Sequence, residues 1–264
     1  MPAFREYSDL AQGVLMDSIY LYVLLGAMVA GFVQGLSGFG FSLVSMALWA
    51  WVLDPRLAVV LAVFGGLTGQ VVAAISLRRG FDWRLLLPYV LGGVVGIPLG
   101  VMLLPMLDVN LFKAALGCLL IVWCPIMIFA KRLPKVTCGG SMANTVVGLA
   151  GGVMGGLGGF SGVLPTLWCT LRYSSRDTQR TIIQNFNLSM LSLTMVSYLL
   201  SGMVTRPMLP MFLLVLPAIL IPSFIGTRVY AGFSPQRFRL VVLVLLTMAG
   251  LALLGASVPH LIAL

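Results

Sequence analysis

The sequence contains few charged residues and a single histidine, and both shortages exclude some classes of function. Only 9% of the 264 residues are charged and 60% are hydrophobic, with a mean hydropathy of +1.07. A soluble core of this length cannot bury so much apolar surface, so we expect lipid to be the solvent. His260 follows the last apolar run. A histidine-based metal site or catalytic triad is therefore disfavoured.

Cysteine and acidic residues are equally sparse. The four cysteines form no CxxC pair, and three lie in or beside apolar runs, where cysteine acts as a small hydrophobe. All seven acidic residues fall in expected tails or loops, which argues against a buried carboxylate as a proton or sodium relay. The serines of the apolar runs thus lack partners for nucleophilic catalysis. We expect no enzyme activity, no catalytic residue, no metal and no cofactor.

Long apolar runs dominate what is present. A helix needs about 20 apolar residues to cross the hydrocarbon of a membrane. Two regions, 19–52 and 143–171, are broken by glycine clusters at 35–40 and 155–162, and each is long enough for two short helices. Trp49, Trp51 and Trp83 are interpreted as interfacial anchors. Six further runs predict full membrane-spanning helices: 55–77, 85–104, 111–129, 178–201, 208–230 and 235–254.

The distribution of basic residues indicates how the two broken regions cross the membrane. The net charge of +9 is scattered in short gaps between apolar runs, a pattern that does not suit nucleic-acid binding. If both regions are hairpins, 12 of the 16 basic residues face one side, and only Arg5, Arg56, Lys113 and Arg206 face the other. If both are single crossings, the split is 8 to 8, without the usual cytoplasmic excess. We therefore predict hairpins, with both termini outside the cytoplasm.

The two halves of the chain also resemble each other. A shift of 121 positions aligns the 31–43 segment with 152–164, including Phe39 with Phe160, and a shift of 126 aligns Lys113 with Arg239. One hairpin and three crossings in each half give an odd number, so the halves insert in opposite directions. The predicted fold is an all-α polytopic membrane protein with two inverted-topology repeats. Its segments are an N-terminal tail (1–18), a first repeat (19–130), a cytoplasmic linker (131–141), a second repeat (142–255) and a C-terminal tail (256–264).

Glycines are also common in membrane helices because they allow close packing. We assign that role to Gly92, Gly93, Gly96 and Gly100. The two dense clusters are instead interpreted as helix breaks.

At these clusters the chain resembles the TauE/SafE family of sulfite exporters. The resemblance rests on 31–40, with the sequence GFVQGLSGFG, and on 148–165, with its GGLGGFSG core, and it extends over about 22–255. It implies a carrier in the inner (cytoplasmic) membrane that moves sulfite, sulfoacetate or a related sulfur anion.

An anion site follows independently from the hairpins. A helix that begins near mid-membrane presents free backbone N–H groups and the positive end of its dipole, and glycines let an oxyanion approach closely. The competing interpretation for each hydroxyl is a hydrogen bond to the backbone of its own helix. The two phenylalanines at the hairpin tips have two interpretations, as gates or as plain packing. The predicted substrate-binding residues are Gln34, Ser37, Gly38, Phe39, Gly40, Ser42, Gln70, Gly158, Gly159, Phe160, Ser161, Gly162 and Asn187.

The predicted function is secondary transport that exports a small sulfur-containing anion, sulfite or an organosulfonate. An anion leaving a cell that is negative inside gains roughly 2.3 kcal/mol per charge per 100 mV. The alternatives are an anion channel, or an importer of a sulfur compound such as thiosulfate or a taurine-derived anion. The expected partners are the small anion and the lipid bilayer, without nucleic acid; assembly into a homo-oligomer stays open.

Overall fold

A computed structural model describes the backbone of residues 2–37, 40–76, 80–136, 138–229 and 235–262. Side chains are described from residue 18 onward, except at 37, 76, 131, 227–229, 235–237 and 260–262 within these ranges. This part of the chain is helical and contains no strand, which confirms the all-α prediction.

Ten α-helices make up the described structure. They are α1 (Pro2–Ser37), α2 (Phe41–Trp49), α3 (Pro55–Ser76), α4 (Trp83–Leu103), α5 (Val109–Phe129), α6 (Gly140–Gly158), α7 (Val163–Arg172), α8 (Arg176–Leu200), α9 (Leu209–Val229) and α10 (Pro235–Ile262). Short 3₁₀ turns at Leu104–Met106, Ala130–Arg132 and Arg206–Met208 join some of them.

Six helical segments are long and apolar enough to cross a membrane: Ser18–Leu36, Pro55–Ile75, Trp83–Met106, Val109–Phe129, Arg206–Gly226 and Phe238–Pro259. The chain is thus a multi-pass membrane protein. Helix α8, also expected to span, has 25 residues but is too polar to join this set. Its amides Gln184, Asn185 and Asn187 are buried against other helices, which explains how so polar a helix fits an apolar protein.

Each glycine-broken region forms a helical hairpin with a short second arm. In the first, the Tyr22 hydroxyl donates to the Leu48 carbonyl (3.2 Å), so α2 folds back antiparallel along α1. In the second, the Trp168 indole N–H donates to the Asn144 Oδ1 (2.8 Å), so α7 folds back along α6. With 9 and 10 residues, α2 and α7 are only about 14 Å long, half of the hydrocarbon thickness.

Trp49 is a correction to the expectation of three interfacial tryptophans. Its side chain is fully buried, packs over Gly26 and meets the Phe41 ring edge to face at 6.0 Å between centroids. The hairpin turns it inward because glycine on α1 leaves room for the indole. Trp51 and Trp83 are 42% and 53% exposed, as an anchor requires.

The four acidic residues whose side chains are described lie at helix starts. Asp82 accepts from the backbone N–H groups of Arg84 and Leu85 and caps α4. Asp108 caps α5 in the same way, while Asp54 precedes α3 and Asp177 lies in the first turn of α8. These carboxylates stabilise helix ends, so none lies within a described span.

Glycines bring two helix pairs into close contact, as expected for Gly92, Gly93, Gly96 and Gly100. A Cβ on Gly96 would overlap the Leu149 carbonyl oxygen, so α4 and α6 touch backbone to backbone. In the other pair, α1 and α9, the Ser223 hydroxyl donates to the Gly31 carbonyl (2.8 Å), and Gly226 faces Phe32. Such contacts replace hydrophobic burial as the source of helix association in lipid.

Two sets of loop contacts define the ends of the molecule. At one end, the Arg56 guanidinium at the start of α3 donates to the carbonyls of Gly202 and Met203 in the α8–α9 connection. At the other, the Asn185 amide of α8 donates to the Gly80 carbonyl (3.1 Å) in the α3–α4 connection. The helices α3 and α8 therefore run antiparallel to each other.

Candidate functional site

The site is built around two points where the helical structure is interrupted. Gly40, just before α2, has φ of +100°, and Gly159, just after α6, has φ of +75°. Both values lie in the left-handed region, which a Cβ disfavours. The breaks are shorter than the glycine clusters suggested: α1 continues through Gly35, and α6 continues to Gly158. Two other glycines of the clusters serve helix packing instead: Gly35 lies against the Ser223 backbone of α9, and Gly156 lies against the Ile97 carbonyl of α4.

The two breaks lie side by side and enclose one cavity. In the observed conformation it offers about 30 Å³ to the centre of a water-sized molecule, which is room for roughly two waters. Only a small solute fits. The described lining residues are Gln34, Gly40, Phe41, Ser42, Leu43, Gly66, Gln70, Trp123, Gly159, Phe160, Ser161, Gly162, Val163, Asn187 and Leu191. We call this space the central cavity.

Two helix N-termini point into the central cavity. Gly40 to Leu43 at the start of α2 and Gly162 to Val163 at the start of α7 both line it. No side chain caps either of these helix starts. The first N–H groups of a helix have no partner within it, and together with the helix dipole they favour a negative charge nearby.

Buried polar side chains complete the lining. The Ser161 hydroxyl donates to the Asn187 Oδ1 (3.1 Å), and the Asn187 Nδ2 has no acceptor among the described residues. That nitrogen is a donor ready for a ligand. The Gln34 Nε2 donates to the Gly66 carbonyl (3.3 Å), and the Ser42 hydroxyl donates to the Ala62 carbonyl (3.2 Å). These two side chains fasten the first hairpin to α3.

Small residues are required where the hairpins touch each other and where they touch the surrounding helices. A Cβ on Gly159 would lie 2.8 Å from the Ser42 Oγ, and one on Gly162 would lie 2.7 Å from the Asn187 Nδ2. A Cβ on Gly66 would lie 3.1 Å from the Ser42 Oγ. The cavity is small because these glycine backbones and the Ser42 and Asn187 side chains approach each other closely around it.

Nine of the predicted substrate-binding residues lie together around the central cavity: Gln34, Gly40, Ser42, Gln70, Gly159, Phe160, Ser161, Gly162 and Asn187. Gly158 does not line it, because it ends α6 and faces the Phe160 ring. Gly38, Phe39 and the Ser37 side chain lie outside the described residues. That the residues around the cavity bind substrate stays a prediction.

Sequence reasoning missed Trp123, which lies in α5 and lines the cavity from the side. Its indole N–H donates to the Val163 carbonyl (2.9 Å) at the start of α7. A tryptophan in the middle of a membrane span is itself a signal, since tryptophan usually lies at the interface. Gly66 and Leu191 were also missed, because an isolated glycine or leucine in an apolar run carries no such signal.

No charged side chain belongs to the described lining of the central cavity. A solute bound here meets backbone N–H groups, amides and hydroxyls in a protein interior. A multi-pass helical protein with a polar cavity between two broken hairpins is built as a membrane transporter.

The comparison with known families agrees. The family model of the sulfite exporters TauE/SafE matches residues 23–253, and the chain belongs to this family of membrane transporters. Comparison with curated proteins and with solved structures finds no match to the chain.

Proposed function

We propose that this protein exports a small sulfur-containing anion, sulfite or a small organosulfonate, across the cytoplasmic membrane. The observation that carries the proposal is that two uncapped helix N-termini, from two different hairpins, line one small cavity. Membership of the sulfite exporter family supports the substrate class.

The chemistry of the central cavity suits transport of an anion. Helix N-termini attract an oxyanion, and the free Asn187 Nδ2 adds a directed donor. The described lining contains no fixed positive charge. Binding is thereby favourable enough to select the anion and weak enough to release it, as transport requires.

Inverted repeats supply the route to alternating access. The first hairpin packs on α9 through Gly31 and Gly226, and the second packs on α4 through Gly152 and Gly100. The shifts that align the two halves pair Gly31 with Gly152 and Gly100 with Gly226. Corresponding residues thus occupy corresponding interfaces, and this supports two halves of opposite orientation around the cavity.

The energetics favour outward transport. No carboxylate lies in a described span. The described spans thus offer the transported anion no acidic relay for coupling to protons or sodium. The membrane potential alone favours outward movement of an anion by roughly 2.3 kcal/mol per charge per 100 mV.

Flux into proteoliposomes tests the function. Purified protein is reconstituted, a potential is imposed, and uptake of sulfite, sulfoacetate, thiosulfate and taurine is compared with protein-free liposomes. We expect saturable, potential-dependent movement of at least one of the sulfur anions. Transport of none of them overturns the proposal, while flux without saturation, together with single-channel currents, identifies a channel.

Accessibility labelling tests the inverted orientation. Single cysteines replace exposed residues at the two ends, Gly80 and Ser174 at one and Arg56 and Gly202 at the other, in a background without the exposed Cys118 and Cys138. An impermeant reagent is expected to label Gly80→Cys and Ser174→Cys from the cytoplasmic side and the other two from outside. Labelling of Gly80→Cys and Ser174→Cys from opposite faces contradicts the inverted topology.

A further inference from the structure

A second cavity adjoins the central one beneath the first hairpin. It lies between the hairpin, which contributes Val33 and Val44, and the first turns of α10, which contribute Phe238, Val242 and Leu246. We call it the access cavity. It shares three lining residues, Gly40, Leu43 and Trp123, with the central cavity. The two spaces are thus separated by only a few side chains.

The described walls of the access cavity are apolar with one exception, Arg239. This side chain is partly buried one turn into α10. No hydrogen bond or ion pair joins its guanidinium to another described residue. An unpaired cation against apolar walls is costly, and a passing anion would relieve that cost.

We propose that the access cavity is the cytoplasmic route to the central cavity and that Arg239 selects solutes there by negative charge. The proposal rests on the function proposed above. The start of α10 lies on the membrane face that the sequence assigns 12 of the 16 basic residues. This face is the expected cytoplasmic one. The first hairpin enters from the opposite face, so the space beyond its tip opens toward the cytoplasm.

The guanidinium suits this role physically. Low-dielectric walls focus the field of a single charge and raise the local concentration of the opposite charge. The planar fork of an arginine donates two parallel hydrogen bonds to an oxyanion such as a sulfonate or sulfite. The helix N-termini of the central cavity favour anions without a full charge, and Arg239 adds a full positive charge that strengthens the discrimination against neutral solutes.

Transport kinetics provide the first test. Arg239→Gln is expected to raise KM for the transported anion about tenfold or more, since a hydrogen bond to a charged group is lost, with a smaller change in maximal flux. Arg239→Lys keeps the charge and recovers most of the affinity, and Arg239→Glu abolishes transport. Lys113→Gln is the matched control: the repeat shift of 126 aligns it with Arg239, yet it lines neither cavity.

A labelling measurement tests the access cavity without any transport. Val242→Cys, in a background without native cysteines, is reacted in inside-out vesicles with an anionic and a cationic methanethiosulfonate of similar size. We expect labelling from the cytoplasmic side, and we expect the anionic-to-cationic rate ratio to fall about tenfold when Arg239→Gln is added.

The outcomes separate the two proposals. An unchanged rate ratio, or labelling of Val242→Cys from the outside alone, overturns the role of the access cavity even where transport is normal. A KM unaffected by Arg239→Gln overturns the role of Arg239 in the same way. A shifted rate ratio in a protein that moves none of the sulfur anions supports the access cavity and overturns the transport function alone.

Discussion

Ser42 and Gly159 mark the point where the two hairpins meet. The Ser42 Oγ lies 2.8 Å from the place where a Cβ on Gly159 would be, and the Ser42 hydroxyl donates to the Ala62 carbonyl of α3. A residue of the first half thus fills the space that a missing side chain of the second half leaves. The size of the central cavity depends on this contact.

Gly159→Ala is expected to lower the transport rate at least tenfold in protein that still inserts into the membrane. The added methyl group is strained at φ of +75° and also presses on Ser42. Gly202→Ala is the matched control, because Gly202 has φ of +69° with nothing near its Cβ position. It bears the same backbone cost of about 1–2 kcal/mol without crowding the cavity.

A double variant refines this test. Ser42→Ala combined with Gly159→Ala removes the hydroxyl that the new methyl group meets, and is expected to recover part of the flux. Equal losses in Gly159→Ala and Gly202→Ala would show that backbone strain alone, and not the meeting of the hairpins, controls transport.

Asn187 provides the free donor of the central cavity. Asn187→Ala is expected to raise KM about tenfold or more, since a hydrogen bond to a charged ligand contributes about 1.5–3 kcal/mol. Asn187→Asp is expected to abolish transport, because a carboxylate would repel the anion. Both are measured as initial flux against substrate concentration in proteoliposomes.

Ser189→Ala is the control for Asn187. The Ser189 hydroxyl lies on the same helix and bonds only to the backbone carbonyl of Asn185 (2.9 Å). Its loss is expected to leave KM unchanged. Anion affinity that survives Asn187→Asp would move the binding site away from this cavity.

The α4–α6 interface governs stability more than transport. Gly96→Ala is expected to destabilise the protein by on the order of 1–3 kcal/mol, because the new methyl group overlaps the Leu149 carbonyl and forces the helices apart. Gly255→Ala on α10, where nothing lies near the Cβ position, is expected to leave Tm unchanged or raise it slightly. Thermal unfolding in detergent compares the two; a Tm for Gly96→Ala equal to that of the control would contradict the close contact.

The sequence was a good guide to the helices, because length and hydrophobicity alone determine which runs can cross a membrane. Five of the six predicted spans lie in segments long and apolar enough to cross a membrane, with α3 and α5 within two residues of their predicted ends. The predicted span 178–201 forms the helix α8, which is too polar for that set, and the sixth such segment, Ser18–Leu36, lies in a region predicted to hold two short helices. The glycine clusters also located both breaks. They could not show which glycine breaks the helix, since a helix can absorb a glycine where a neighbouring backbone packs against it, as at Gly35 and Gly156.

The side-chain environment was harder to predict. Trp49 lies near the end of an apolar run, which is where interfacial tryptophans are usually found. Its burial depends on packing over Gly26, a contact that the sequence does not show. Trp123 lines the cavity and donates a hydrogen bond to the Val163 carbonyl, 40 residues away in the chain. No local sequence pattern encodes such a contact. Contacts between distant segments depend on the tertiary fold, and one sequence carries no direct record of them.

Trp123 itself gives the last prediction. Trp123→Phe keeps an aromatic ring beside the central cavity but leaves the buried Val163 carbonyl without its donor, so the start of α7 loses its link to α5. We expect a loss of about 1 kcal/mol in stability and a larger loss of transport, because α7 supplies one of the two helix N-termini at the cavity. Trp51→Phe is the control, since Trp51 is 42% exposed and lines neither cavity. Equal transport rates in the two variants, measured at matched protein density, would contradict a role for the Trp123 bond in holding the site together.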